Sequence, residues 1–403
     1  MAKTVNSFLK MEYWVSTMGS NLSNIMFSII RSIFDDEPIS VADKGLITED
    51  DLSSVLKVAS SHDLAHLIAY SLKKNQLFSG KFEQQYETKM FQAVYRYEKM
   101  QYEIERISAS LEQAKIPFMA LKGAVIRKYY PEPWMRTSCD IDILVHEEDF
   151  HRAVEALVSD LDYRADSMVH YHDISLFSRS GVHVELHFSI KEKLNDIDNV
   201  LSKVWDYSYK DNNSEFHYYQ TPEFFVFYHI AHMAHHFIRG GCGVKPFVDM
   251  YIIQNKMKYD ETMVRKLCRD CGIEKFYDNI LQLTEVWFFG KEHTSISMQI
   301  ENYIFKGGVY GTLENKVTVS RGKKASKVKY ALSRIFVSYD LLKDYYLILQ
   351  KHKWLFPFMQ VRRWFSLIFG GRLKYGIREM KVNRNISQDN AENMSNFMEN
   401  VGL

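Results

Sequence analysis

Apolar positions recur every three or four residues through most of the first hundred residues of the chain. The repeat is visible in SNIMFSIIRSIF, in DLSSVLKVASSHDLAHLIAYSLKK and in a long stretch from about Phe82 to Ala114. Because this spacing places the apolar side chains on one face of an α-helix, the pattern predicts an amino-terminal helical domain over residues 1–114.

The apolar runs become shorter after residue 114. PFMALKG and DIDILV have the length and composition of strands, whereas EEDFHRAVEALVSDL has helical spacing. YRADS, HDISLFSR and VHVELHFSI predict further strands, the last two joined by a tight turn at residues 179–181. This order of elements predicts an α+β fold with a small mixed-sheet core over residues 115–220.

Helical spacing returns at Thr221, where Thr221 and Pro222 are residue types that favour the start of a helix. The pattern predicts a carboxy-terminal helical region over residues 221–384. The last segment, NISQDNAENMSNFMENVGL, is polar, so we expect a flexible tail over residues 385–403. The sheet core is therefore expected to be flanked by helical domains on both sides.

The amino-acid composition indicates the class of protein. With 403 residues, 46% hydrophobic and 25% charged, the chain has the composition of a folded globular protein. Its 51 basic and 50 acidic residues nearly cancel, so the whole molecule is not an obvious electrostatic partner for nucleic acid or membrane. Four cysteines do not make a disulfide framework, and no run reaches about 18 consecutive apolar residues. We expect a cytoplasmic protein without a transmembrane segment.

Local charge is uneven near the carboxyl end. Between Lys316 and Arg384 there are 17 Lys or Arg residues against 3 acids. Within this segment, residues 351–374 (KHKWLFPFMQVRRWFSLIFGGRLK) mix aromatic and basic side chains. Three interpretations remain open: peripheral contact with a membrane surface, contact with nucleic acid, and a helix docked on its own domain with a solvated basic face.

Candidate chemistry begins with the two acids of DIDILV. Asp140 and Asp142 stand two apart on a predicted strand, so their side chains leave the same face and can share one or two divalent ions. Such pairs also occur by chance in acidic loops, but two carboxylates at the start of an apolar strand repel each other without a cation. Glu185, at the centre of a strand that could pair beside them, is the best-placed third carboxylate. The pattern predicts a metal site of the kind used in phosphoryl transfer.

The same region carries a longer motif. It comprises Leu121-Lys122-Gly123, Tyr130-Pro131, Arg136, Asp140-Ile141-Asp142 and Glu185-Leu186-His187. In order and spacing, this set resembles the signature of an uncharacterised bacterial nucleotidyltransferase family, a branch of the DNA polymerase beta-like superfamily. The resemblance implies a nucleotidyltransferase fold over about Ile116 to Ile190, with looser similarity in HIAHMAHHF and KPFVDMYII.

The resemblance implies transfer of a nucleoside monophosphate from an NTP to an acceptor, which could be a small molecule, a protein or an RNA. Asp140, Asp142 and Glu185 would ligate Mg²⁺, with Mn²⁺ as an alternative, and Glu185 could instead act as the base towards the acceptor. Glutamate stands here where many relatives carry aspartate. A module that keeps the fold but only binds a nucleotide or a partner is the main alternative.

Nucleotide-binding residues are expected around the same motif. Relatives usually hold the triphosphate with a Gly-Ser pair, whereas this chain has Lys122 and Gly123. Lys122 would contact the β- or γ-phosphate, and Gly123 would let the phosphate approach the backbone, where helix N–H groups can donate to it. Arg136 and Ser138 could touch phosphate, although a structural role for Arg136 is equally open. His187 could orient Glu185, approach the substrate, or simply pack.

Four histidines recur in HIAHMAHHFIRGG: His229, His232, His235 and His236. A metal-dependent hydrolase centred on them is a further alternative, but the HExxH arrangement of such enzymes is absent. Lining of the cleft, or packing with partners for their N–H groups, is favoured instead. Lys245 and Asp249 could contact a nucleotide or close the pair of helices that carries them.

Overall fold

The computed structural model describes residues 22–34, 39, 47–77, 83–166, 172–309, 311–322, 326–346, 348–371 and 373–403. Residues 1–21 of the predicted amino-terminal domain lie outside these ranges. The helices that precede the sheet are α1 (residues 22–34), α2 (Glu49–Ser61), α3 (Ala65–Lys74) and α4 (Glu83–Gln113). Thr48 starts α2 with a reciprocal cap, because its hydroxyl accepts from Asp51 N–H and its own N–H donates to the Asp51 carboxylate.

A five-stranded mixed sheet follows α4. The strands are β1 (Phe118–Ala120), β2 (Asp140–Val145), β3 (Arg164–Ala165), β4 (Asp173–Phe177) and β5 (His183–His187). They have the order β1-β2-β5-β4-β3 in the sheet, with β2 and β5 parallel and every other pair antiparallel. A helical turn, α5 (Gly123–Ile126), lies between the first two strands in sequence, and α6 (Phe150–Leu161) lies between the second and third. The α+β fold and the hairpin between β4 and β5 are therefore confirmed.

The two faces of this sheet differ in polarity. On one face, Ile143, Leu176 and Leu186 are fully buried and pack in one cluster with Ile107 of α4 and Leu157 of α6. Because side chains alternate along a strand, the residues between them point to the other face, which carries the polar side chains of Asp140, Asp142 and Glu185 and, beyond them, the buried Leu144. Burial of the apolar face thus fixes which side chains the opposite face presents.

Helices complete the rest of the chain. A two-stranded sheet precedes the helix Pro222–Ile238, which has Thr221 as its cap and Pro222 as its first residue, as predicted. The remaining elements are α7 (Asn195–Leu201), β6 (Ser208–Lys210), β7 (Tyr218–Gln220), α8 (Pro222–Ile238), α9 (Lys245–Lys256), α10 (Glu261–Asp270), α11 (Glu274–Phe289), α12 (Ser295–Gly307), α13 (Leu313–Gly322), α14 (Lys327–Ile335), α15 (Tyr339–Tyr345), α16 (Ile348–Lys351), α17 (Phe356–Phe369), α18 (Leu373–Asn385) and α19 (Gln388–Val401). None of the described helices is both long and apolar enough to span a bilayer.

The helices before and after the sheet share one hydrophobic core. Phe27 of α1 stacks on Trp287 of α11 with ring centroids 4.3 Å apart, and Phe247 of α9 contacts the same indole at 4.8 Å. Aromatic contacts of this kind stabilise beyond the area they bury. The α8–α11 helices are therefore joined to the amino-terminal helices through side chains that are distant in sequence.

The expected flexible tail is instead a packed helix, which corrects the prediction for residues 385–403. Ser387 caps α19 by accepting from Asn390 N–H at 3.0 Å. Met398 and Val401 are buried, and the ring of Phe397 lies 5.3 Å from that of Tyr303. The polar composition of this segment hid an apolar face with helical spacing, which only packing against the rest of the molecule makes favourable.

Burial of the apolar face of the sheet predicts how a core substitution changes the free energy of unfolding. Replacement of the fully buried Ile143 by alanine should lower the free energy of unfolding by about 2–5 kcal/mol, because it leaves a cavity in the core. The control Val158→Ala removes two carbons at a position that is 38% exposed, and it should cost under about 0.5 kcal/mol. Denaturant unfolding measures both, and equal losses in the two variants would contradict this account of the core.

Candidate functional site

The predicted acids lie on adjacent strands of the sheet. In the parallel pairing of β2 with β5, Asp142 lies opposite Glu185 and Asp140 lies opposite His183. All of these side chains leave the polar face, because paired residues in a sheet point the same way. The expectation that the strand of Glu185 pairs beside the strand of Asp140 and Asp142 is confirmed.

Ligand atoms on this face converge in small groups that could hold a metal ion. Asp140, His183 and Glu185 form one group, and Asp142, Glu185 and His187 form a second, with the ligand atoms of each group within 4.8 Å of one another. Glu185 belongs to both groups and so links the two aspartates. A third group, beside these, joins His172, Asp173 and His187. The sequence reasoning missed His183, although its alternation with Glu185 in HVELH was the available signal.

Two of the three carboxylates, those of Asp140 and Glu185, have raised pKa values. Burial and the charges of Asp142 and Asp140 raise the pKa of Glu185 to about 7. Burial and Asp142 also raise the pKa of Asp140, although Lys122 opposes this shift. Repulsion of this kind is relieved by a bound cation, and carboxylate oxygens are the ligands that hard divalent cations prefer. The donor set on this face therefore fits Mg²⁺ or Mn²⁺.

Asp142 has direct cationic and hydrogen-bonding partners. Its Oδ1 accepts from Lys122 Nζ at 3.0 Å and from His187 Nε2 at 3.0 Å. Burial opposes ionisation, but these two partners hold the pKa of Asp142 well below its usual range. Asp142 is thus ionised at neutral pH, and His187 is held by hydrogen bonding to an acid of the candidate site.

Lys122 has a backbone conformation that lysine rarely adopts. Its φ of 47° and ψ of −118° place it in a region that favours glycine, immediately before α5. Such strain costs on the order of 1–3 kcal/mol and persists where the surrounding structure holds it. Burial disfavours the charge, yet Asp142 and Tyr228 keep the pKa of Lys122 well above its usual range. The strained backbone directs a charged amine to the carboxylates.

Basic side chains surround Gly123. A Cβ at Gly123 would lie 3.5 Å from both Arg136 Nη1 and Ser138 Cβ. Arg127 donates from Nε to the Gly123 carbonyl at 3.1 Å and from Nη2 to Ser138 Oγ at 3.2 Å. Because α5 is only one turn long, these side chains, rather than a helix dipole, make this corner attractive to an anion.

Arg127 was missed by the sequence reasoning. It is buried, and among the described residues its Nη1 has no hydrogen-bond partner. Burial and the charge of Arg136 lower the pKa of Arg127 to about 10. A buried guanidinium beside a second one favours an anionic ligand that can accept from both. The spacing of four residues from Gly123 across a helical turn was the signal that could have identified it.

Arg136 is anchored by a buried acid. Its Nε donates to Asp249 Oδ1 at 2.7 Å, and the Tyr130 hydroxyl donates to the same oxygen at 2.7 Å. Lys245 bonds to Asp63 and, at 3.1 Å, to the Thr137 carbonyl. Of the two interpretations for Lys245 and Asp249, the contacts favour the structural one: both residues tie α9 to the segment that precedes β2.

The four histidines of α8 have protein partners. Glu192 accepts from His232 Nδ1 at 2.7 Å and from His235 Nδ1 at 2.9 Å, and His229 Nε2 donates to the Pro246 carbonyl at 2.9 Å. The Nε2 atoms of His236 and His232 are 3.0 Å apart. In the described part of the chain, the groups that could hold a metal lie on the sheet and not among these histidines. The network therefore closes α8 against the loop after β5 and gives no support to a hydrolase centre.

Comparison with known proteins gives one match. The model of a family described as uncharacterised nucleotidyltransferase matches residues 48–289, which include the whole five-stranded sheet and the helices from α2 to α11. No curated protein matches the chain. No solved structure matches it either.

The repulsion among the carboxylates makes a pH prediction. Glu185 has an ordinary pKa of 4.5 and a pKa of about 7 in the folded protein, so the folded state binds more protons between these values. In the absence of metal, the free energy of unfolding should fall as pH rises through this window. Glu185→Gln should remove that fall and be more stable than the native protein at pH 8, by on the order of 1–3 kcal/mol.

Urea unfolding in EDTA at pH 5 and pH 8 measures the effect. Glu155→Gln is the matched control, because Glu155 is exposed on α6. It should behave like the native protein. The stability of Glu185→Gln relative to the native protein should increase between pH 5 and pH 8, and a difference that does not change with pH would show that the carboxylates do not repel one another.

Proposed function

Because the chain belongs to this uncharacterised nucleotidyltransferase family, we propose that it transfers a nucleoside monophosphate from an NTP to an acceptor hydroxyl. The observation that carries the proposal is the pairing of β2 with β5, which places Glu185 beside Asp142 on the face that also carries Asp140. We assign the fold to the DNA polymerase beta-like superfamily on the same basis, with residues 115–220 as the catalytic domain between helical regions.

Asp140, Asp142 and Glu185 are the proposed metal ligands, and the neighbouring imidazoles of His183 and His187 could add nitrogen ligands. A bound Mg²⁺ or Mn²⁺ would neutralise triphosphate charge and lower the pKa of the attacking hydroxyl. Imidazole nitrogen makes Mn²⁺ a realistic substitute for Mg²⁺ at this site. The metal would replace the lysine ammonium as the cation on Asp142.

Lys122, Arg127, Arg136 and Ser138 form the proposed triphosphate site around Gly123. Asp249 neutralises Arg136 on its Nε side, and Arg136 Nη1, which donates to the Thr137 carbonyl, lies near Gly123. Arg127 brings a second guanidinium to the same corner, and Lys122 connects it to the acids. A polyphosphate offers several acceptor oxygens and negative charge, which satisfy these buried donors.

The reaction follows from this arrangement. The acceptor oxygen attacks the α-phosphorus, the bond from that phosphorus to the bridging oxygen breaks, and pyrophosphate leaves with the bonding electrons. Glu185 is placed to take the hydroxyl proton, because its side chain is 28% exposed while that of Asp142 is 7% exposed. The positive charges of Lys122 and Arg127 stabilise the leaving pyrophosphate. The acceptor class, whether a small molecule, a protein or an RNA, is set by parts of the surface beyond these residues.

Removal of both aspartates should abolish transfer. The native protein, incubated with α-labelled NTPs, a cell extract and Mg²⁺ or Mn²⁺, should transfer label to an acceptor, whereas γ-label should appear in pyrophosphate. The double variant Asp140→Asn, Asp142→Asn should lose transfer by several orders of magnitude, because the site loses its metal ligands.

The control for that experiment is Asp160→Asn, which alters an exposed aspartate of α6 and should leave transfer unchanged. Transfer that survives in the double variant would place the chemistry elsewhere. Thermal stabilisation by an NTP without label transfer would instead favour a nucleotide-binding module that lacks catalysis.

Arg127 should contribute to nucleotide binding. Arg127→Met should weaken NTP affinity roughly ten- to hundredfold, because a charged hydrogen bond of ~1.5–3 kcal/mol is lost. Arg127→Lys should retain part of the affinity. The shift in melting temperature on addition of NTP and Mg²⁺ measures the effect within each variant, so that any loss of basal stability cancels. Lys128→Met, at the exposed neighbouring position, is the control, and an equal loss in that variant would refute the assignment.

A further inference from the structure

Helix α17 has an apolar face that points away from the protein. Phe358, Val361, Phe365, Ile368 and Phe369 are all between 44% and 80% exposed. Their spacing of three and four residues puts them on one side of the helix. Trp354, in the turn just before α17, is 69% exposed and contacts Phe358 edge-on with ring centroids 6.3 Å apart. This set of six side chains is called the α17 aromatic face below.

The opposite side of α17 faces inward and packs through both polar and aromatic side chains, with the ring of Trp364 lying 5.5 Å from that of Phe336. Gln360, the buried residue of this helix, donates to the Val337 carbonyl. Arg363 donates to the Arg334 carbonyl at 2.9 Å, and Trp364 Nε1 donates to the Ile335 carbonyl at 2.8 Å. A helix on a water-facing surface normally buries its apolar side and exposes its polar side. The exposure of a second, large apolar side indicates that the α17 aromatic face is covered by something other than the described part of the chain.

Exposed apolar side chains are concentrated around this helix. In the described part of the chain, 16 of the 23 exposed large hydrophobic residues lie between Val328 and Ile377. They include residues on α14, α15, α16 and α18 as well as α17. Scattered exposed apolar residues need no explanation, but a contiguous concentration marks an interaction surface.

Positive charge accompanies this surface. The segment from Tyr345 to Arg378 contains seven Lys or Arg residues and no Asp or Glu. Lys351, Lys353, Arg362, Lys374 and Arg378 are exposed. A partner that covers the α17 aromatic face must therefore accept apolar side chains and carry negative charge beside them.

We propose that the α17 aromatic face binds the surface of a membrane that contains anionic lipids. A bilayer supplies an acyl-chain layer for the phenylalanines and phosphate or carboxylate headgroups for the basic residues. A second copy of the chain, packed symmetrically, would bring the basic residues of both copies together. A nucleic acid would match the charge and the rings but would leave Val361 and Ile368 without apolar partners.

The length of α17 sets the mode of binding. Its 14 residues extend for about 21 Å, less than the ~30 Å hydrocarbon core, so the helix lies in the plane of the interface. The same helical region contacts the loop after β5, since Lys193 Nζ lies 5.4 Å from the centre of the Tyr345 ring. The proposal does not depend on the proposed transferase activity, because it is carried by residues outside the candidate site.

Vesicle binding by the full-length protein tests the proposal. We expect sedimentation with phosphatidylcholine vesicles that contain about 30% phosphatidylserine, at least about tenfold weaker binding to pure phosphatidylcholine, and weaker binding at high salt. The triple variant Phe358→Gln, Phe365→Gln, Phe369→Gln should lose at least about tenfold in affinity, because three inserted rings are removed. Acyl chains labelled with bromine should quench the fluorescence of the native protein more than that of Trp354→Phe.

The matched control replaces another exposed aromatic stripe. Phe91, Tyr95 and Tyr102 are 58–71% exposed on α4, where acids alternate with bases, and their triple glutamine variant should bind vesicles like the native protein. The variant Asp140→Asn, Asp142→Asn should also bind normally, which separates this proposal from the transferase one. Failure to bind anionic vesicles at low salt would overturn it, as would a native dimer, or a complex with RNA, that only the α17 variant disrupts.

Discussion

Repulsion among three carboxylates is the interaction on which the rest of the site depends. Asp140, Asp142 and Glu185 share one sheet face because the opposite face of the same strands is buried against α4 and α6. A shift of one residue in the register of β5 would bury Glu185 and expose its apolar neighbours, so the core holds the acids together. The raised pKa values of Asp140 and Glu185 follow from this placement, and it is the basis of the proposed divalent-cation site.

Basic residues around the acids compensate their negative charge. Lys122 has an unfavourable backbone conformation, and its ammonium donates a hydrogen bond to Asp142. Arg127 and Arg136 both lie beside Gly123, and Asp249 accepts a hydrogen bond from Nε of Arg136. The proposed metal-binding side of the site and the proposed phosphate-binding side are therefore joined through one lysine. Nucleotidyl transfer needs this juxtaposition, because the metal and the polyphosphate must meet at the α-phosphorus.

The helical part of the chain has two different kinds of apolar surface. The α8–α11 helices pack with the amino-terminal helices into one core, in which aromatic contacts such as that between Phe27 and Trp287 join distant parts of the sequence. Helix α17 packs inward through one side and leaves the α17 aromatic face exposed. The first surface positions the sheet and its site. The second is suited to a partner, and the surplus of positive charge around it favours an anionic one.

The sequence by itself determined the strands, the α+β class and the candidate acids. The alternation of apolar and polar residues along DIDILV and VHVELHF is a local property, so it can be read without the tertiary structure. The partner of Arg136, the packing of the final helix and the exposure of the α17 aromatic face came only with the tertiary structure. Each depends on which residues meet across long separations, such as the 113 positions between Arg136 and Asp249. Local patterns specify which face of an element is apolar, but the partner of that face is set by packing of the whole chain.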